Sequence, residues 1–167
     1  MKALQDAIMV PENYKYAINE LPEMKAAIHD WYRNRYNVEL TNDEMICLQG
    51  SQEALSTLFL AMCDPGDIVL VPDPYYPIFS DGPKIAGAKV EYMPLLQEYN
   101  YVIQLDQIDE EIAKKAKMMI VSYPNNPTCA VAPDSFYEDL IAFAKKYDIV
   151  VLHDNAYSEL VFDGIVG

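Results

Sequence analysis

Three polar side chains follow two apolar segments in the second half of the chain. Asn126 lies in the segment SYPNNPT, and Asp154 and Tyr157 follow the apolar run that ends at His153. Both apolar runs predict strands, so we expect these side chains at the carboxyl ends of neighbouring strands. In an open α/β sheet that rim is where ligands bind. One amide, one carboxylate and one phenol suit a polar aromatic ligand better than a sugar or a metal ion.

A second candidate ligand contact is the start of a helix predicted directly after Gly50. Free N–H groups and the helix dipole at such a start attract phosphate. Gly50 lets the backbone approach a ligand closely, and the Ser51 hydroxyl can donate a further hydrogen bond. The same pattern is also typical of a serine that only caps a helix, so the residues alone leave both interpretations open.

Tyr76 lies at a predicted strand-to-helix turn between two prolines, Pro74 and Pro77. It could stack on an aromatic ligand, or it could be a packed loop tyrosine. In a chain with 13 tyrosines, only its position separates it from Tyr75. Asn126 and Asp154 could also have purely structural roles. Asn126 could form an Asx turn beside Pro127, and Asp154 could stabilise a turn or cap a helix after a strand.

Strands and helices alternate along the chain. We predict strands at 45–48, 68–71, 89–93, 117–122 and 149–153, and helices at 23–36, 51–62, 76–86, 105–114 and 134–147. Several of the strands are apolar throughout, which favours a mostly parallel sheet covered on both faces. The predicted fold class is therefore α/β, with three α/β/α layers.

The domain organisation predicted from this pattern is an irregular lead-in over residues 1–22 and a partial domain over 23–167. After the last strand the sequence contains only a further predicted turn at 163–164. A sheet that stopped there would leave an edge unpaired, so we expect the chain to be part of a larger domain.

Composition excludes several classes of function. The chain has 26 acidic and 12 basic residues and a net charge of −14, which disfavours nucleic acid and anionic membrane surfaces as partners. Three cysteines without a CxxC pair predict neither a disulfide framework nor a metal site, so we expect a cytoplasmic location. We find no signal peptide, and the apolar runs are too short to span a bilayer.

Five segments together resemble the fold-type I pyridoxal-phosphate aminotransferases of class I/II, and most nearly their LL-diaminopimelate aminotransferase-like group. In chain order they are LQGSQEAL at 48–55, DPGD at 64–67, VPDPYYP at 71–77, YPNNPT at 123–128 and HDNAY at 153–157. The resemblance covers nearly the whole chain from about Tyr16 onward. It implies the large cofactor-binding domain of an aspartate-aminotransferase-like fold, with pyridoxal 5'-phosphate as the cofactor.

The resemblance also implies roles for six residues. Ser51 and Gln52, at the helix start, are expected to hold the cofactor phosphate, and Tyr76 is expected to stack on the pyridine ring. Asn126 and Tyr157 are expected to donate hydrogen bonds to the ring hydroxyl oxygen. Asp154 is expected to keep the pyridine nitrogen protonated, which makes the ring an electron sink.

At two positions the chain departs from the family pattern. Glu20 stands where a glycine is usual, and Cys129 replaces the glycine that normally follows Asn-Pro-Thr. If that second position needs a positive φ, a cysteine there is strained. The resemblance further implies a homodimer in which a tyrosine of one subunit, Tyr14 or Tyr16, reaches the other subunit's cofactor phosphate.

The resemblance places the remaining catalytic groups outside these residues. The Schiff-base lysine, in a Ser-x-x-Lys-type segment, and the arginine of a smaller C-terminal domain are both expected beyond Gly167. We therefore expect no catalytic residue in this chain, although the parent would transfer an amino group from an amino acid to a 2-oxo acid. These 167 residues alone are expected to bind the cofactor weakly and to be inactive.

Three alternatives remain open. The first is another activity of the same superfamily, such as an alanine, aromatic or aspartate aminotransferase or a C–S β-lyase. The second is a non-catalytic, truncated cofactor-binding or interaction module. The third, a generic nucleotide-binding domain, is disfavoured because neither GxGxxG nor GxxxxGK[ST] occurs in the sequence.

Overall fold

The structure is a computed structural model that describes residues 1–16 and 18–162. The chain divides into two compact units, residues 1–48 and residues 49–167. The predicted turn at 163–164 lies outside the described residues. In the part of the chain that the structure describes, no helix is long and apolar enough to cross a membrane.

The first unit is helical. It contains helix α1 (Lys2–Ile8) and helix α2 (Pro22–Tyr36), with single 3₁₀ turns at Pro11–Tyr14 and Asn42–Glu44. α2 starts with a proline, whose missing N–H is not needed in a first turn. It ends where Asn37 takes a left-handed conformation with φ 53°.

Two predictions for this unit need correction. Residues 2–8 of the lead-in, expected to be irregular, form α1. Residues 45–48, expected to be a buried strand, form none, and Ile46 is 75% exposed. An apolar run becomes a strand only when another strand completes its hydrogen bonds, and the described residues of this unit contain no other strand.

The second unit is built on a parallel sheet of four strands. They are β1 (Ile68–Asp73), β2 (Lys89–Pro94), β3 (Ala116–Val121) and β4 (Val150–His153), in the order β2-β1-β3-β4. In the described part of this unit they are accompanied by α3 (Ser51–Met62), α4 (Ile78–Ile85), α5 (Glu110–Ala113) and α6 (Asp134–Tyr147), and by 3₁₀ turns at Gln97–Tyr99 and Leu105–Gln107.

Both faces of the sheet are covered. Successive residues of a strand point to opposite faces, and the two central strands are buried along most of their length. On one face Leu70 and Met119 belong to a cluster with Phe136 of α6. On the other face Val69 and Met118 belong to a cluster with residues of α3 and α4. The predicted three-layer α/β/α class is confirmed.

Candidate cofactor site

Three adjacent strands end at the same edge of the sheet because β1, β3 and β4 are parallel. The β1–α4 turn carries Tyr76, the loop after β3 carries Asn126, and Asp154 follows β4 directly. The backbone N–H of Asp154 donates to the carbonyl of Val121 at 2.8 Å, which extends the β3–β4 ladder by one bond. The sheet topology thus brings three of the predicted residues to one rim.

The start of α3 has an open backbone. Gly50 precedes the first helical residue with φ 86°, a conformation that favours glycine. Apart from Gly50 and its two chain neighbours, no described atom lies within 4 Å of the position that a Cβ at Gly50 would occupy. Ser51 is exposed in the first turn of the helix, so Gly50 and not the serine holds the capping position. The N–H of Gln49, just before this glycine, donates to Oε2 of Glu53 at 2.6 Å.

Tyr76 is joined to the start of α3 by its hydroxyl, which donates to Oε1 of Gln52 at 3.2 Å. Its neighbour Tyr75 is engaged elsewhere. The Tyr75 ring stacks on Tyr92 of β2, with ring centroids 5.5 Å apart and an interplanar angle of 15°. The structure therefore distinguishes the roles of Tyr75 and Tyr76, which the residue type alone could not do.

Close packing between α3 and α4 fixes the relative position of Gln52 and Tyr76. Gly82 of α4 lies against α3, where an added Cβ would overlap the carbonyl oxygen of Leu55 and lie 2.9 Å from Cδ2 of Phe59. Real Cβ atoms do not approach other atoms this closely. Only glycine allows the two helices their present separation.

Asn126 and Tyr157 line one cavity of about 580 Å³. Its walls are otherwise mostly apolar, formed by Pro124, Pro127, Val131, Leu160, Val161 and Phe162, with Asn125 and Cys129 completing the described lining. The other four predicted residues, Ser51, Gln52, Tyr76 and Asp154, are not among these lining residues. The structure thus brings Tyr76, Asn126 and Asp154 to one rim, and Asn126 and Tyr157 line the same cavity.

The loop that carries Asn126 is held by two backbone hydrogen bonds. The N–H of Asn125 donates to Ala130 O at 2.9 Å, and the N–H of Cys129 donates to Asn125 O at 2.7 Å. Cys129 has φ 59°, so this position does adopt the conformation for which a glycine is best suited. Its thiol lies 3.9 Å from Pro127 O, a weak hydrogen bond.

Two buried polar atoms near the end of β3 have no hydrogen-bond partner among the described residues. They are Oγ of Ser122 and Oδ1 of Asn125, and both belong to residues that are at most 3% exposed. Buried polar groups are normally paired, so each of these atoms has unused hydrogen-bonding capacity.

Asp154 is a half-buried carboxylate. No hydrogen bond or ion pair to its side chain is found among the described residues. Partial burial raises the pKa of Asp154 above its ordinary value, while nearby His153 acts in the opposite direction. A cation beside this carboxylate would relieve the cost of its burial. The ring of His153 packs on Tyr137 of α6, with ring centroids 5.7 Å apart.

Tyr123 is a residue of this rim whose function the sequence did not indicate. Its hydroxyl accepts the N–H of Ile103 at 2.8 Å and donates to Tyr101 O at 3.3 Å. Burial raises the pKa of Tyr123 to about 12, so the phenol stays protonated. Through these two hydrogen bonds Tyr123 connects the end of β3 to the segment between β2 and α5, where Tyr101 and Ile103 lie.

Glu20, the departure from the family pattern that lies in the first unit, makes two polar contacts. Its carboxylate accepts the N–H of Cys47 at 3.1 Å and lies 3.3 Å from Nζ of Lys25. Glu20 thus connects the segment before α2 to the segment after it.

The two tyrosines considered for a contact with a partner subunit differ in their surroundings. The Tyr14 hydroxyl donates to Ile8 O at 2.5 Å, whereas Tyr16 is 94% exposed.

Comparison with known proteins places these features in a family. A family model for aminotransferase class I and II matches residues 1–166. The LL-diaminopimelate aminotransferase of Halothermothrix orenii is 46% identical over 161 residues, and that of Aquifex aeolicus is 43% identical over 162 residues. These matches cover 95% and 96% of this chain but 41% and 42% of the relatives, so the chain spans about two fifths of their length.

Solved structures agree. A probable N-succinyldiaminopimelate aminotransferase from Thermus thermophilus superposes with a TM-score of 0.89 at 33% identity, over 99% of this chain and 45% of that one. BacF from Bacillus subtilis superposes with a TM-score of 0.86 at 37% identity, over 94% of this chain and 40% of that one. The sequence of five motifs, the parallel sheet and these matches have one explanation: the chain belongs to the aminotransferase class I and II family.

Proposed function

We propose that this chain forms the cofactor-binding part of an enzyme that transfers an amino group from an amino acid to a 2-oxo acid, with pyridoxal 5'-phosphate as cofactor. Family membership supports the reaction type, because enzymes of this family depend in general on that cofactor. The observation that carries the proposal is Asp154, a half-buried carboxylate at the rim whose pKa is raised by burial even though nearby His153 acts to lower it.

The residues at the rim fit the cofactor in charge and shape. The open helix start at Gly50 suits a phosphate, and Ser51 and Gln52 add polar groups beside it. Tyr76, held through Gln52, suits a flat aromatic ring. Asp154 suits a protonated ring nitrogen, since each charge offsets the other's loss of water.

Asn126 and Tyr157, which line the cavity, would add the remaining proposed contacts to the cofactor. Both side chains donate hydrogen bonds, so they stabilise negative charge on a ring oxygen. When bound, the cofactor supplies an electron sink for the carbanion formed at the substrate's Cα. Asp154 sustains that sink by keeping the ring nitrogen protonated.

For the whole protein we propose LL-diaminopimelate, or a closely related amino acid, as amino donor. The named relatives support this choice at 40–46% identity. Structural neighbours carry other names, including an alanine aminotransferase from Pyrococcus furiosus with a TM-score of 0.85 at 29% identity. A panel of amino donors tested on the full-length protein decides between them, and a preference for alanine or aspartate would overturn the diaminopimelate assignment.

These 167 residues alone are proposed to bind the cofactor without turnover. None of the described residues that line the cavity is a lysine, so its described wall offers no amine for covalent attachment. We also propose a homodimer and a cytoplasmic location for the whole protein. Equilibrium dialysis with pyridoxal phosphate, followed by a transaminase assay, tests the proposal. Saturable binding without turnover supports it, and turnover by this chain would contradict the inactivity.

A further inference from the structure

The loop that carries Asn126 begins and ends in the same part of the hydrophobic core. It runs from Tyr123, directly after β3, to Ala132, just before α6. Tyr123 and Ala132 are buried members of one hydrophobic cluster, and Ala130 packs against that cluster. Asn126 lies between these ends and lines the cavity. The position of the Asn126 amide therefore depends on how the two ends of the loop are held.

The two ends are held in different ways. Inside the loop, the N–H of Asn125 donates to Ala130 O at 2.9 Å, so a backbone hydrogen bond closes the turn. At the start of the loop, a side chain holds the backbone in place. The Tyr123 hydroxyl accepts the N–H of Ile103 at 2.8 Å and donates to Tyr101 O at 3.3 Å. These two bonds connect the loop to the segment between β2 and α5.

The hydrogen bonds of Tyr123 lie in the protein interior. Tyr123 is 2% exposed and Ile103 is 3% exposed, so removal of the hydroxyl would take from a buried N–H the acceptor that it has in the structure. A buried donor that loses its acceptor is costly, and the backbone around it has to shift to find another. The Tyr123 ring packs edge-on against Phe136, with ring centroids 5.3 Å apart. A phenylalanine would keep this packing and lose only the hydrogen bonds.

We propose that Tyr123 is a positioning residue for cofactor binding, whose hydroxyl, bonded to the segment between β2 and α5, fixes the place of Asn126 three residues further along the chain. This inference rests on the proposed function, in which Asn126 donates to the ring oxygen of the cofactor. Tyr123 is buried and is not among the described residues that line the cavity. It therefore acts through Asn126 and not by contact with the cofactor.

A double-mutant cycle on Y123F and N126A tests this coupling, with the affinity for pyridoxal phosphate measured by equilibrium dialysis. Y123F is expected to bind about two- to tenfold more weakly than the wild type, the worth of one hydrogen bond. In the N126A background the same change should alter the affinity by less than about twofold, because the contact through which it acts is already absent. Equal fold-changes in both backgrounds would overturn the proposal. Absence of saturable binding to the wild-type chain would instead contradict the proposed function, and the proposal with it.

Y137F is the matched control for the loss of a buried hydroxyl. Tyr137 packs against the same hydrophobic cluster as Tyr123, and no hydrogen bond to its hydroxyl is found among the described residues. Y137F is therefore expected to bind pyridoxal phosphate within about twofold of the wild type. A loss of affinity equal to that of Y123F would show a general effect of the cluster and would overturn the proposal.

A measurement on the wild-type chain tests the proposal even if Y123F does not fold. Coupling is reciprocal, so bound pyridoxal phosphate should stabilise the hydrogen bonds of Tyr123. Hydrogen exchange followed by NMR compares the amide of Ile103 with that of Lys89, which donates to Asp67 O at the opposite edge of the sheet. Saturating pyridoxal phosphate is expected to slow exchange at Ile103 by at least about threefold more than at Lys89. Equal slowing of the two amides would overturn the proposal.

Discussion

The hydroxyl of Tyr76 donates a hydrogen bond to Oε1 of Gln52 across 3.2 Å. This bond joins the turn after β1 to the first turn of α3. The hydrogen bond therefore links Tyr76, the proposed contact to the cofactor ring, to Gln52, a proposed contact to the cofactor phosphate. A shift of the turn or of the helix would affect both proposed contacts.

Removal of the Tyr76 ring is expected to weaken cofactor binding more than removal of its hydroxyl. Y76A loses an aromatic contact worth about 0.5–1.5 kcal/mol, which corresponds to up to roughly tenfold in affinity. Y76F keeps the ring and loses one partly exposed hydrogen bond, worth about 0.5–1.5 kcal/mol of stability. Fluorescence titration with pyridoxal phosphate measures the first effect, and urea unfolding measures the second.

Tyr75 provides the matched control for this pair. Y75A removes the stack on Tyr92 and is expected to lower stability while leaving cofactor affinity near that of the wild type. The assignment of Tyr76 would be wrong if Y75A lost the affinity and Y76A kept it.

Gly82 is expected to tolerate no side chain. G82A forces a methyl group onto Leu55 O and Phe59, and overpacking of this kind costs about 1–3 kcal/mol of unfolding free energy. D81A, at the adjacent exposed residue of α4, is expected to stay within about 0.5 kcal/mol of the wild type. Urea unfolding of both variants measures the difference, and equal stabilities would contradict the close helix contact.

Asp154 is expected to make stability depend on pH. Its pKa is raised in the folded state, so in the window above the unfolded pKa the folded state binds more protons than the unfolded state. Stability therefore falls as pH rises through the raised pKa. D154N removes this loss and is expected to be more stable than the wild type near neutral pH, with a flatter profile in acid.

Urea unfolding between about pH 4 and about pH 7 measures this profile. D139N, which neutralises an exposed carboxylate on α6, serves as the control and is expected to retain the wild-type slope. A D154N variant less stable than the wild type near neutral pH would contradict the interpretation of Asp154 as a carboxylate without a cation.

Cys129 is expected to be less favourable than glycine at its own position. C129G relieves a left-handed backbone and should raise the unfolding free energy by up to about 1 kcal/mol, because the relief of about 1–2 kcal/mol is partly offset by the greater flexibility of unfolded glycine. C129A keeps the strain and should match the wild type. If C129G unfolded at lower urea than C129A, the strain assignment would be incorrect.

The sequence predicted the four strands and the longer helices of the second unit well because their segments carry strong local signals, whereas the predicted helix at 105–114 is a 3₁₀ turn (Leu105–Gln107) followed by the short helix α5. Runs such as residues 68–71 and 118–121 are apolar without interruption, and that pattern is typical of buried parallel strands. The segment 45–48 has the same composition but is not a strand, because strand formation depends on a neighbour that composition does not reveal. A short apolar run is therefore weak evidence for a strand when it is considered alone.

The placement of the candidate site residues could be predicted in part. Tyr76, Asn126 and Asp154 each follow a predicted strand. Because those strands are parallel, the three residues could be expected at the same edge of the sheet. The sequence could not show that Tyr75 is engaged by Tyr92, or that Asn125 is buried with an unused acceptor, since both depend on side-chain packing. The possible strain at Cys129 was foreseen from its residue type, but its place in a cavity wall was not.

The most direct test of the proposed cofactor site is the equilibrium binding of pyridoxal phosphate to wild-type and D154N chains, measured by dialysis. We expect saturable binding to the wild type. Loss of a charged partner for the ring nitrogen, worth about 1.5–3 kcal/mol, should make D154N about tenfold weaker or more. Equal affinities, or no saturable binding to the wild-type chain, would contradict the proposed cofactor site.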